Sequence, residues 1–132
     1  MYVLADQSVH GLSPAQWGAR VVHAYTDYMA DLVVAEANYG GDMVRHVVET
    51  AARDLGVTVN IKLVTASRGK AVRAEPIAAL YEQGKVHHVG SFAELEDQMA
   101  TWVQGEKSPD RMDALVWAGT ELMVTGRGLE LT

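Results

Sequence analysis

Leu32–Ala37 (LVVAEA) is a run of apolar residues interrupted by one carboxylate, Glu36, and closed by Gly40-Gly41. Such a run predicts a strand covered on both faces. A carboxylate buried there must protonate or find a cation. Val57–Ala66 (VTVNIKLVTA) alternates and is rich in β-branched residues, so it predicts a second strand. Tyr2–Val9 and Val86–Val89 read as shorter ones.

Helical patterns with start and stop signals alternate with these strands. Ser13-Pro14-Ala15-Gln16 supplies a cap, a first-turn proline and a capping-box glutamine, ahead of Trp17, Val21, Tyr25 and Tyr28 on one face. Asp42 is expected to cap a helix striped by Val44, Val47, Val48, Ala51 and Leu55 and stopped by Gly56. Ser67-Arg68-Gly69-Lys70 reads as a turn. A helix is expected from about Ala71 to Gln83, stopped by Gly84, with Pro76 making its first turns irregular or moving its start near Glu75. Ser91 and Glu94 predict a capping box for a helix through about Val103, and 105–108 reads as a polar loop. Ser108-Pro109 opens a last helix through Val124, and 126–132 reads as a tail. The alternation implies one α/β layered domain.

The 132 residues suit a single core, and 48% hydrophobic content argues for a packed globule. No apolar run approaches the ~18 residues that span a bilayer. The N-terminal MYVLADQSVHG lacks the basic end and apolar centre of a signal peptide. With no cysteine, disulfides and thiolate metal sites are excluded, and a cytoplasmic setting is the default expectation. The net charge of −6 weighs against a stand-alone nucleic-acid binder but not against an enzyme that meets DNA through metal ions and a local basic loop.

Glu36 lies at the end of an apolar strand, where ligand sites of α/β sheets gather; the plainer reading is a structural acid paired with Arg45, Lys62 or a backbone amide. Asp110 and Asp113 are three apart at a helix start and share a face, although the helix dipole alone favours acids there. Arg68, Lys70 and Arg73, with Lys62 nearby, form the basic cluster that could meet phosphates, or a solvated turn. The adjacent His87 and His88 point to opposite faces of a strand and do not suit one metal ion. Trp102 and Trp117 read as packing residues, and Glu121 is expected to face solvent or Lys107. No Ser-His-Asp set, nucleophile elbow or Walker A sequence is present.

VVAEANYGGDMV, ASRGKAVRAEPIAALYEQGKVHHVG, LEDQM and SPDRMDALVWAGTEL together resemble the C-terminal nuclease domain of the large terminase subunit, the DNA-packaging motor protein of tailed bacteriophages and prophages. The resemblance runs from about Tyr2 to Met123. It implies an RNase H-like fold, a mixed sheet flanked by helices, and cleavage of double-stranded DNA at a site where acids hold two Mg²⁺ or Mn²⁺ ions. Glu36 matches one family acid and Asp110 another, with Asp113 assisting. On this basis Glu36 would bind one ion and Asp110 the other. ASRGKAVR resembles the segment near the DNA backbone, which assigns Arg68, Lys70 and Arg73 to DNA. The ATPase domain, the small terminase subunit and the portal are the implied partners.

In the family a further acid lies on a hairpin preceding the YVLADQSV strand. The chain is therefore expected to be an N-terminally truncated nuclease domain with weakened metal binding and marginal stability. The alternatives are a non-catalytic fragment, acting as an interaction module or standing as a prophage remnant, and an unrelated small α/β enzyme.

Overall fold

The computed structural model describes residues 1–37, 41–65, 70–103 and 109–124, the side chains of Lys70 and Ala71 excepted. The expected turn at 67–69, the loop at 105–108, the tail at 126–132 and the Gly40 break lie outside the described residues. Contacts divide the chain into two compact units, Val9–Ala66 and Met1–Ser8 with Ser67–Thr132.

The Val9–Ala66 unit holds α1 (Pro14–Asp27), β2 (Val33–Glu36), α2 (Gly41–Leu55) and β3 (Ile61–Val64). The capping box forms as its residues dictate. The Gln16 amide donates to Ser13 Oγ at 3.3 Å, and the Ser13 amide donates to Gln16 Oε1 at 2.9 Å. The deepest face of α1 is not the expected aromatic stripe but Gly18 and Val22, with Trp17 and Val21 flanking it. The reason is a close helix crossing. A Cβ on Gly18 would lie 2.9 Å from Val47 Cγ1 and 3.0 Å from the Val47 carbonyl oxygen. Through this gap Val22, Val48, Ala51 and Ala52 form one core, joined by Val57, Val59 and Ile61.

Gly56, at φ 70°, closes α2 as expected. Its amide donates to the Arg53 carbonyl and that of Val57 to the Ala52 carbonyl, the paired bonds of a left-handed C-terminal cap. Asp42 lies inside the first turn of α2 rather than at its cap. β2 and β3 pair in parallel, with Val33 opposite Ile61 and Glu36 opposite Val64. All four residues of β2 are half-buried, so the expected strand covered on both faces is not what forms. Both strands are also shorter than their apolar runs.

The other unit holds β1 (Tyr2–Val3), α3 (Lys70–Glu82), β4 (His87–His88), α4 (Ala93–Thr101), α5 (Asp110–Gly119) and a π-helical segment, Thr120–Val124. β1 and β4 pair in parallel, Tyr2 opposite His87 and Val3 opposite His88. α3 runs through Pro76 instead of starting at it. Proline removes one backbone bond there, and the neighbouring Ile77, 3% exposed, anchors the turn by packing. α4 begins after Phe92, without a side-chain cap from Ser91. Glu96 instead accepts the Phe92 amide at 3.1 Å. Ile77, Val86, Leu95, Met112, Leu115 and Val116 are buried in this unit.

Among the described residues, then, the strands make two parallel pairs rather than a single mixed sheet.

Candidate functional site

Glu36 is the last residue of β2. Lys62, opposite Val34, lies on the same face of the strand pair one step back. The other cation considered for Glu36, Arg45, pairs along α2 with Glu49 at 3.5 Å. The start of α2 presses on this strand end: a Cβ on Gly41 would lie 2.7 Å from that of Ala37. Glu36 is half-buried, so it does not carry the full desolvation cost foreseen for a buried strand acid.

Asp110 and Asp113 occupy the first turn of α5, in different surroundings. Asp110 is exposed, whereas the Asp113 side chain keeps 15% of its surface and lies 4.0 Å from Arg73 Nη2. The Arg73 side chain is 9% exposed, and its guanidinium lies over the Trp117 ring, 4.8 Å from the centroid. Arg73 is thus turned inward, a different placement from the phosphate-facing one expected of the basic cluster. Arg68, and the side chain of Lys70, lie outside the described residues.

Glu121, expected at the surface, is buried, 8% exposed. Its spacing carried the signal: Asp113, Trp117 and Glu121 recur every four residues, one face of a helix. The π-helical segment begins beside it, and such segments often mark functional sites.

A second polar cluster was not foreseen. His88 Nδ1 and Glu96 Oε2 are 2.9 Å apart, and His88 Nε2 and the Tyr81 hydroxyl 2.7 Å apart. The predicted opposition of the histidines holds, His87 outward and His88 inward. Hydrogen bonds from His88 and the Phe92 amide hold the Glu96 carboxyl below its usual range. Burial, with the Glu96 charge, pushes the Tyr81 hydroxyl up to about 12. Elsewhere in this unit Arg111 bridges Asp6, at 3.0 Å, and Glu94. Burial raises the Asp6 carboxyl, but bonds from Ser8 and the Arg111 guanidinium outweigh it and leave it below the usual range.

Glu36, Asp110 and Asp113 are all oxygen donors, the chemistry that Mg²⁺ and Mn²⁺ select. Among the described residues no group of three or more acids and histidines is positioned to hold a metal ion. Mg²⁺ is commonly held by one or two carboxylates together with substrate phosphates.

A family model described as the terminase RNaseH-like domain matches residues 1–122. The chain belongs to this family. Comparison with curated proteins and with solved structures gives no match. Membership in the terminase RNase H-like family bears out the resemblance to the large subunit's nuclease domain. It carries with it a nuclease role in DNA packaging, within a terminase complex that binds DNA. Among the described residues no helix is long and apolar enough to cross a membrane.

Proposed function

We propose that this chain is the metal-dependent endonuclease part of a viral or prophage DNA-packaging terminase and acts on double-stranded DNA. The observation that carries the reading is the family match over 1–122. The α5 start supports it, because it presents one carboxylate to solvent and a second already held in place. In this reading Asp110, Asp113 and Glu36 are the metal ligands, and Arg68 and Lys70 meet the DNA backbone. Bound Mg²⁺ or Mn²⁺ would activate a water and stabilise the leaving oxygen at the scissile phosphate. Asp113 offers a largely buried oxygen with the Arg73 guanidinium 4.0 Å away. Asp110 is free to adapt from the exposed first turn, and the α2 start steadies the strand end that bears Glu36. The ATPase domain, small subunit and portal are the proposed partners.

Because Arg73 lies beside Asp113 and competes with a metal ion for it, the isolated chain is expected to nick plasmid DNA weakly with Mn²⁺. Glu36→Ala, Asp110→Asn and Asp113→Asn should each abolish that signal. Full-rate nicking by all three variants would sink the proposal.

One observation favours a second reading, an interaction module without catalysis. Tyr2 and Leu4, in and beside the short β1 strand, are 67% and 50% exposed. Apolar side chains at a strand edge invite a partner strand or a second copy. Concentration-dependent association in size-exclusion chromatography, with no nicking, would favour it; a monomer at all concentrations would count against it.

A further inference from the structure

β1 is bonded along one side. In its parallel pairing with β4, the His87 amide donates to the Met1 carbonyl at 2.9 Å and the Val89 amide to the Val3 carbonyl at 2.8 Å. Alternation along the strand then turns the amide and carbonyl groups of Tyr2 and Leu4 to the opposite edge. Among the described residues no strand pairs with that edge. A row of backbone donors and acceptors left in this way is a template for another extended chain.

A groove of about 450 Å³ runs beside the edge, within the same unit. Its wall is the Met1–Ser8 segment, and Leu95, Ala114, Ala118 and Leu122 line its floor. Ala114, Ala118 and Leu122 are exposed. The charged residues that line it, Asp6 and Arg111, are bonded to each other at 3.0 Å, so the groove favours an uncharged occupant. Hydrogen-bonding capacity and apolar depth thus lie next to each other.

We propose that the outer edge of β1 and this groove form a strand-accepting site for an extended polypeptide segment with uncharged, apolar side chains at alternate positions. Such a strand continues the β1–β4 pair through backbone bonds to Tyr2 and Leu4, while every second side chain enters the groove. The occupant is a segment of different sequence, not the β1 of a second copy. Met1 is already seated on its own α5, since a Cβ on Gly119 would lie 3.4 Å from Met1 Cε. Val3 turns the same way by alternation and is half-buried. A second β1 set against the edge would bring its own Met1 and Val3 equally committed, and both grooves would stay unfilled. An edge from Tyr2 to Leu4 would also bury far less than the ~1,600 Å² of a standard stable interface. The inference holds whether or not the chain cuts DNA.

Amide hydrogen exchange followed by NMR on the full chain tests it. A synthetic peptide alternating valine with threonine, added in excess, should slow exchange of the Tyr2 and Leu4 amides by roughly tenfold or more. The same peptide N-methylated along its backbone lacks the donors and should slow neither. Ala118→Arg, at an exposed position of α5, fills the groove with its stem and should remove the protection given by the unmodified peptide. No slowing at Tyr2 and Leu4, equal slowing by the N-methylated peptide, or full slowing in Ala118→Arg each overturns the inference. Slowing that appears without peptide and grows with chain concentration makes a second copy the occupant and overturns it as well.

Discussion

At the scale of single residues, two neighbouring acids on one helix face acquire different characters from their surroundings. Asp110 stays in water, while Asp113 is largely buried beside Arg73, which itself stacks on Trp117. The shared face was legible from the i, i+3 spacing, but the enclosure was not, because Arg73 comes from another helix. The same holds for Tyr81, His88 and Glu96. Strand parity told that the two histidines face opposite ways, yet nothing in the local sequence says which turns inward or names its two partners. Their geometry makes a testable statement about Tyr81. Burial is the larger cause and the Glu96 charge the lesser in raising its hydroxyl to about 12. A raised folded value means that this group's contribution to stability is complete below pH ~10 and is lost as pH climbs through about 12. Ultraviolet titration of the folded chain should show a late-ionising phase, and Tyr81→Phe should remove it. Ionisation of every tyrosine near pH 10, with the circular dichroism still native, would contradict it.

At the scale of elements, punctuation was readable and depth was not. Ser13 with Gln16, Gly56 and Gly84 start and stop helices where their chemistry demands, because caps are local bonds. Which face of α1 sinks deepest is decided by α2, so Gly18 and Val22 escaped a stripe drawn through aromatic residues. The start of α4 was misplaced because the Glu96 carboxylate, from the first turns, captures the Phe92 amide in place of a Ser91 cap. The crossing at Gly18 leads to a prediction. A methyl group there would meet both the side chain and the carbonyl of Val47, and the carbonyl cannot swing aside. Gly18→Ala should therefore cost about 1–3 kcal/mol despite its better helix propensity. Chemical denaturation measures this, and a stabilised variant would show that the helices separate freely. A further element-level tie joins the segment after β1 to α5 and α4 through Asp6, Arg111 and Glu94. Asp6 has a lowered folded value. Its contribution is thus present above the unfolded value of 3.8 and lost as pH falls through the lower folded one. Asp6→Asn should flatten the acid limb of the stability profile, and an unchanged profile would mean that the bridge contributes nothing.

For the molecule as a whole, net charge and substrate pull in opposite directions. A chain of net charge −6 approaching DNA must offset repulsion with local cations or bound metal. Composition made that conflict visible at once, and the family match shows that it has to be resolved rather than avoided. The described residues narrow the means, since Arg73 is committed to the interior beside Asp113. Arg68 and Lys70 are then left as the proposed phosphate contacts of the basic segment. Each cation that neutralises a phosphate contributes about 0.9 to the slope of log affinity against log salt. Fluorescence anisotropy with a short duplex, at one fixed Ca²⁺ concentration, can count such contacts variant by variant. Arg68→Ala and Lys70→Ala should each lower the slope by about 1. Arg73→Ala should leave the slope unchanged. A slope that falls by the same amount in Arg73→Ala would mean that its guanidinium swings out to the backbone on binding, releasing Asp113 as it does so. The inward arrangement would then belong only to the DNA-free chain.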